Sequence, residues 1–202
     1  MTPVYKLSAN SVKNGRTVYG SMLAGNTAFI ATSFESIATT TVDSYGSSSV
    51  TFSSIPATYS HLQVRAINRK TGGTWGQTRL TVNSDTGNNY ANHMLYGDGS
   101  SAASGNNGFP INWISGGVET GTTQSASVFG SYVIDILDYA NTNKYKTTRS
   151  LGGGDNNGSG YCWFSSGVWM NTNAITSITL TPENNNYAQY SHFALYGIKG
   201  AA

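Results

Sequence analysis

The stretch Ser127–Leu137, SVFGSYVIDIL, is the longest regular run in the chain. Val128, Tyr132, Ile134 and Ile136 fall on one side of it, and Phe129, Ser131, Val133 and Asp135 on the other. Successive side chains of an extended strand point to opposite faces, so this period of two predicts a strand with one face buried.

The same period returns on either side. It predicts strands over Glu35–Val42, Ser49–Ile55, His61–Arg69, Thr78–Asn83, His93–Tyr96, Tyr145–Leu151, Gly160–Ser166, Ile175–Thr181 and Ser191–Ile198. Within His61–Arg69, for example, Leu62, Val64 and Ala66 alternate with Gln63 and Arg65. Clusters of Gly, Asn, Asp and Ser at Asp85–Asn89, Gly97–Asn107, Gly152–Gly160 and Glu183–Asn186 read as turns. The longest of these, extending to Gly108, exceeds a normal hairpin connection and is expected to be a functional or mobile loop. No amphipathic helix is apparent in the body. About ten short strands without helices predict an all-β fold, an antiparallel sandwich or jelly roll, over residues 34–202.

Residues 1–33 lack sustained periodicity and read as an extended N-terminal arm. At about 3.3 Å per residue it would reach on the order of 100 Å. It carries Lys6, Lys13 and Arg16 ahead of the first acid, Glu35, together with spaced apolar residues including Met22, Leu23 and Phe29. Such an arm either wraps on its own domain or lies in a neighbour's groove.

Charged residues make up only 10% of the 202, against roughly 25% in an ordinary soluble chain. The surface therefore rests on Ser, Thr, Asn, Gln and Gly, and little of its stability is Coulombic. A net charge of +2 from scattered Lys and Arg supplies no clustered basic face, which argues against nucleic-acid binding. Hydrophobic content of 38% and aromatic content of 12% suffice for a packed core, so the polar composition does not imply disorder. No charged segment followed by an apolar run suggests a signal peptide, and no stretch approaches the roughly 20 apolar residues of a membrane-spanning helix. Cys162, the one cysteine, sits between Tyr161 and Trp163 and is expected to be a buried, inert thiol.

No catalytic set emerges. The chain has no G-x-S-x-G elbow, no H-E-x-x-H and no cysteine pair. Gly97–Ala102, GDGSSA, formally matches a dinucleotide fingerprint but lacks the strand–helix context that gives it meaning. His61, His93 and His192 are expected in solvent-facing or structural roles, and Asp135 and Asp138 in turns or caps rather than as a glycosidase pair. Asp85, Asp98 and Asp155 lie in Gly/Asn-rich loops where calcium ligands collect, yet no spacing resembles a dedicated calcium loop. No metal or cofactor is expected. What remains are aromatics: Trp75, Tyr90 and Trp113 are candidates for stacking on sugar faces, whereas Trp163 and Trp169 are expected to fill the core.

Several strings occur together in order: VTFSSIP (Val50–Pro56), VNSDTGNNY (Val82–Tyr90), LYGDGSS (Leu95–Ser101), IDILDYANTNK (Ile134–Lys144), GVW (Gly167–Trp169), ITSITLT (Ile175–Thr181) and YSHFALYGI (Tyr190–Ile198). The set, spanning about residues 35 to 198, resembles a β-sandwich module of tailed-phage virion structural proteins, marine and cyanobacterial phages in particular. The resemblance implies a non-enzymatic protein on the exterior of the particle, assembled in the bacterial cytoplasm: a capsid decoration or cement protein, a knob, or a small tail appendage. Its implied partners are major capsid or tail proteins and further copies of itself, with the arm as anchor. The alternative it leaves open is a receptor-binding tail-fibre tip that recognises host surface polysaccharide.

Overall fold

In a computed structural model, residues 33–200 are described. The expected arm, including Lys6, Lys13, Arg16, Met22, Leu23 and Phe29, lies outside the described residues apart from Ser33. The rest forms two antiparallel sheets, and the expected all-β sandwich is the fold.

Twelve strands run in chain order: β1 Phe34–Thr41, β2 Val50–Phe52, β3 His61–Asn68, β4 Gly76–Val82, β5 Tyr90–Gly97, β6 Ala102–Asn106, β7 Ile114–Glu119, β8 Gly130–Leu137, β9 Lys146–Asp155, β10 Gly160–Trp169, β11 Ile178–Thr181 and β12 His192–Ile198. The large sheet has eight strands in the order β1-β12-β3-β8-β9-β10-β5-β6, and the small sheet four in the order β2-β11-β4-β7. The chain crosses repeatedly between them, so each sheet is built from strands far apart in the sequence.

The run Ser127–Leu137 supplies β8, at the middle of the large sheet. Tyr132, Ile134 and Ile136 are buried on its inner side, while Ser131 and Leu137 face out. Against them pack Leu62 and Val64 of β3, Leu80 and Val82 of β4, Ile178 and Leu180 of β11, and Phe193 and Leu195 of β12. All eight are buried, and each such side chain contributes about 1.5–3 kcal/mol on burial.

Two strands depart from expectation. Ala102–Asn106 falls inside the segment read as a long loop, but it pairs in register with His93–Gly97 as the edge strand β6. Its Ala, Ser and Gly side chains are too small to print a pattern. Ile114–Glu119, β7, has no alternation because all six residues are buried. It forms the edge of the small sheet and packs against β8, β9 and β10 of the large one. The pairing with β4 shifts between Thr78 and Arg79, and Gly117 adopts a φ of 147°. A Cβ there would sit 2.5 Å from Cβ of Tyr132, so only glycine lets β7 approach β8 this closely.

Cys162 is exposed rather than buried. On β10 the inward positions are those of Tyr161, Trp163 and Ser165, which turns Cys162 to the outer face. Its cross-strand neighbours there are Gly97 and Gly153, which have no side chains to cover it. The outer face also carries an apolar row in register across four strands, Leu95–Phe164–Leu151–Val133, of which the first three are exposed.

Candidate cleft on the inner face of the large sheet

Four strands cannot cover eight. Among the strands of the small sheet, β7 alone reaches toward β5 and β10, and β6 makes no substantial contact with that sheet. Ile114 of β7 lies over Gly167 of β10, and Ser165 donates from Oγ to the Ser115 carbonyl at 3.0 Å. Beyond this crossing the inner face of β10, β5 and β6 is uncovered. The gap is a cleft of about 390 Å³, walled on one side by β10 and β5 and on the other by the start of β4 and Val118 of β7.

Four aromatic rings line it: Trp75, Tyr96, Tyr161 and Trp163. Tyr96 and Trp163 are directly opposed on β5 and β10, and their rings stack at 5.1 Å with an angle of 18°. Trp75 meets Tyr161 edge to face at 5.6 Å. Trp75 also packs against Gly154, where a Cβ would come within 2.6 Å of its ring. The indole N–H of Trp163 is buried without a hydrogen-bond partner among the described residues.

Amides supply the polar wall. Gln77 and Asn107 bond to each other through both side-chain groups at 3.2 and 3.3 Å. Asn107 donates further to Oδ1 of the buried Asn92 at 2.8 Å. Such a mutual network fixes each amide's orientation and so pre-sets the donors and acceptors facing the cleft.

Behind Gly76 lies a charge cluster. A Cβ at Gly76 would be 2.5 Å from Nζ of Lys70, 2.8 Å from Oε2 of Glu183 and 2.9 Å from Oε1 of Glu119. Lys70 and Glu119 are fully buried, with Nζ 3.7 Å from Oε1. Glu119 accepts the Glu183 backbone N–H at 2.8 Å and the Thr78 hydroxyl at 3.4 Å. Burial pushes its carboxyl up to about 7, against the pull of the Glu183 N–H and the Lys70 ammonium. Glu183 lines the cleft itself, and no described residue hydrogen-bonds its carboxylate.

Of the aromatic candidates read from sequence, Trp75 stands in the cleft and the other two do not. Tyr90 is wholly buried and is no contact surface for a ligand. Its hydroxyl donates to the Asp85 carbonyl at 2.9 Å and accepts from the Val82 N–H, and burial raises its pKa to about 12. Inward alternation on β5 puts it there. Trp113 is half-buried under the Arg79 guanidinium, 4.9 Å from its ring, away from the other rings. Trp169 fills the core as expected, stacked on Tyr90, but Trp163 is half-buried in the cleft wall. Tyr96, Tyr161, Gln77 and Asn107 were not singled out from sequence. Their one signal is that Tyr96 and Trp163 share parity with core positions, and parity does not say where cover ends.

The titratable residues in turns have local work. Asp85 accepts from Nε1 of Trp169 at 2.8 Å, from the Gly87 N–H and from the Asn89 amide. Burial alone would raise its pKa, but these donors outweigh it and the group is held below the usual carboxylate range. Asp98 accepts the backbone N–H groups of Ser100 and Ser101 and falls to about 2, while Asp155 accepts the Asn157 N–H. Asp135 takes Arg149 and Gln63, and Asp138 takes Lys144 beside His61. His61 and His192 begin strands β3 and β12, and His93 is exposed on β5. A wider groove of about 780 Å³ runs along Gly97–Gly99 and Gly153–Cys162, but the side chains of its acids, Asp98 and Asp155, are turned onto their own loops. Compared with known proteins, the chain matches no family model, no curated protein and no solved structure.

Proposed function

We propose that this chain is a non-catalytic glycan-recognition module displayed on the exterior of a tailed-phage particle, with the inner-sheet cleft as its sugar site. One observation carries the recognition: four aromatic rings and a pre-set amide network converge in a cleft that the small sheet leaves uncovered. Sugar rings present C–H faces to aromatic planes and hydroxyls to amides, so this pairing of groups suits a saccharide better than an apolar ligand. The virion setting rests on the ordered strings of the resemblance, with residues 1–33 as the anchor to capsid or tail proteins.

The test is calorimetry with host envelope polysaccharide fragments, following a glycan array. Wild-type protein binds, and Trp75→Ala or Trp163→Ala abolishes binding while each variant still unfolds in one cooperative thermal transition. Silence across the array removes the recognition half of the proposal. Labelling the protein on intact particles tests the other half, since signal absent from both head and tail removes it.

A second reading, purely architectural decoration by a symmetric oligomer, is favoured by the exposed apolar row Leu95–Phe164–Leu151–Val133. Leu151→Lys, at the centre of that row, would then reduce occupancy on particles without unfolding the domain.

A further inference from the structure

We propose that the cleft selects uncharged glycans and excludes acidic ones, with Glu183 as the residue that sets the discrimination. This rests on the cleft being a glycan site. Of its lining residues, only Glu183 carries a charge. An anionic sugar entering there meets a carboxylate and finds no cation to pair with, because no described Lys or Arg lines the cleft.

Lys70, the nearest, is buried against Glu119. Arg69 is spent on the carbonyls of Gln124, Ser125 and Val128. Lys146 is spent on those of Asn141, Lys144 and Thr172. Arg79 lies over Trp113 with its buried Nε–H unpaired, outside the lining of the cleft. Arg149 and Lys144 hold Asp135 and Asp138, Lys199 holds Glu35, and Arg65 stacks over Phe34 and Tyr196. Recognition of a uronate or sialate carboxylate calls for an Arg fork or a Lys aimed at it, and none of these eight lines the cleft. The amides Gln77, Asn106 and Asn107 serve hydroxyls instead.

Like charges a few ångströms apart in a half-enclosed cleft repel enough to weaken binding by about tenfold at low salt, and the effect fades as the ionic strength rises. The experiment uses the full chain and matched ligands: glucan and galactan oligosaccharides, and the same oligosaccharides oxidised at C6 to uronates. Wild-type protein binds the neutral member of a pair about tenfold more tightly at low ionic strength. In Glu183→Gln that ratio falls to about two, and in Glu183→Lys the preference reverses.

Equal wild-type affinity for the two members overturns the selectivity while leaving the glycan reading standing. So does discrimination that survives unchanged in Glu183→Gln, since it then has another origin. Failure of every oligosaccharide to bind overturns both.

Discussion

Strand β10 carries two tryptophans on one face, six residues apart, and each is paired in register with a tyrosine of β5 at the same spacing. Trp169 with Tyr90 and Trp163 with Tyr96 are the same motif twice, stacked at 6.5 and 5.1 Å. Yet the first pair is core and the second is the wall of an open cleft. The difference lies in what passes overhead. Strand β7 crosses β10 at Gly167 and Ser165, between the two pairs, and beyond the crossing Val118 and the start of β4 form only the far wall of the cleft. Identical local chemistry thus serves stability at one end and contact at the other, and the division is made by the extent of the opposing sheet.

The largest effect expected from breaking this contrast is on stability. Trp169→Ala removes a fully buried ring and is expected to cost about 4 kcal/mol in denaturant unfolding. Trp163→Ala is expected to cost about 1 kcal/mol, since its ring gives up stacking and only part of its burial. Equal costs would mean that the cleft end is as closed as the core.

Next in size is Glu119→Ala, which leaves the Lys70 ammonium buried beside the cleft without its partner and is expected to cost about 3 kcal/mol. A thermal shift no larger than that of a half-buried site such as Glu183→Ala would show that water reaches the pair.

Asp85→Ala strips the acceptor from the Trp169 indole and is expected to cost about 2 kcal/mol, because a buried N–H is left unpaired. Its folded pKa lies below the ordinary value. The contribution is therefore present above that ordinary value and lost as pH falls through the folded one. The wild-type advantage over Asp85→Asn should shrink in acid, read by unfolding at pH 7 and pH 3. Trp163 has no such acceptor, so no equivalent variant exists at the cleft end.

The smallest effect is the pH dependence of ligand selection. Glu119 faces Lys70 and Glu183, with Tyr132 and Tyr187 beside it. As pH falls below about 7 Glu119 takes up a proton, and Lys70 is left to offset Glu183. Discrimination against uronates should weaken by a few-fold between pH 8 and pH 6, measured on the same oligosaccharide pairs. Because its folded pKa lies above its unfolded one, Glu119 is also expected to disfavour the folded state progressively as pH rises from the ordinary carboxylate range to about 7.

Much of the sandwich is legible in the residues. Alternation in Leu62–Ala66 and in Tyr132–Ile136 marks β3 and β8 because each has one dry face and one wet one. The same rule fails for Ile114–Glu119, which has no wet face, and for Ala102–Asn106, whose small side chains carry no contrast. Of the cleft, Trp75 was legible from its glycine-flanked setting. Tyr90 and Trp163 were assigned to each other's environments, because both are inward-facing aromatics on well-patterned strands.

By itself, the sequence determined ten of the twelve strands, the alternation of faces along them and the charge-poor surface. These follow from period two and from composition, which are properties of neighbours along the chain. Only the tertiary structure decided that eight strands would oppose four, where β7 crosses β10, and therefore which inward aromatics stay uncovered. It also decided that Lys70, Glu119 and Glu183 meet behind Gly76. Those outcomes depend on pairings between strands far apart in the chain, and a local pattern carries no record of how far the opposite sheet extends.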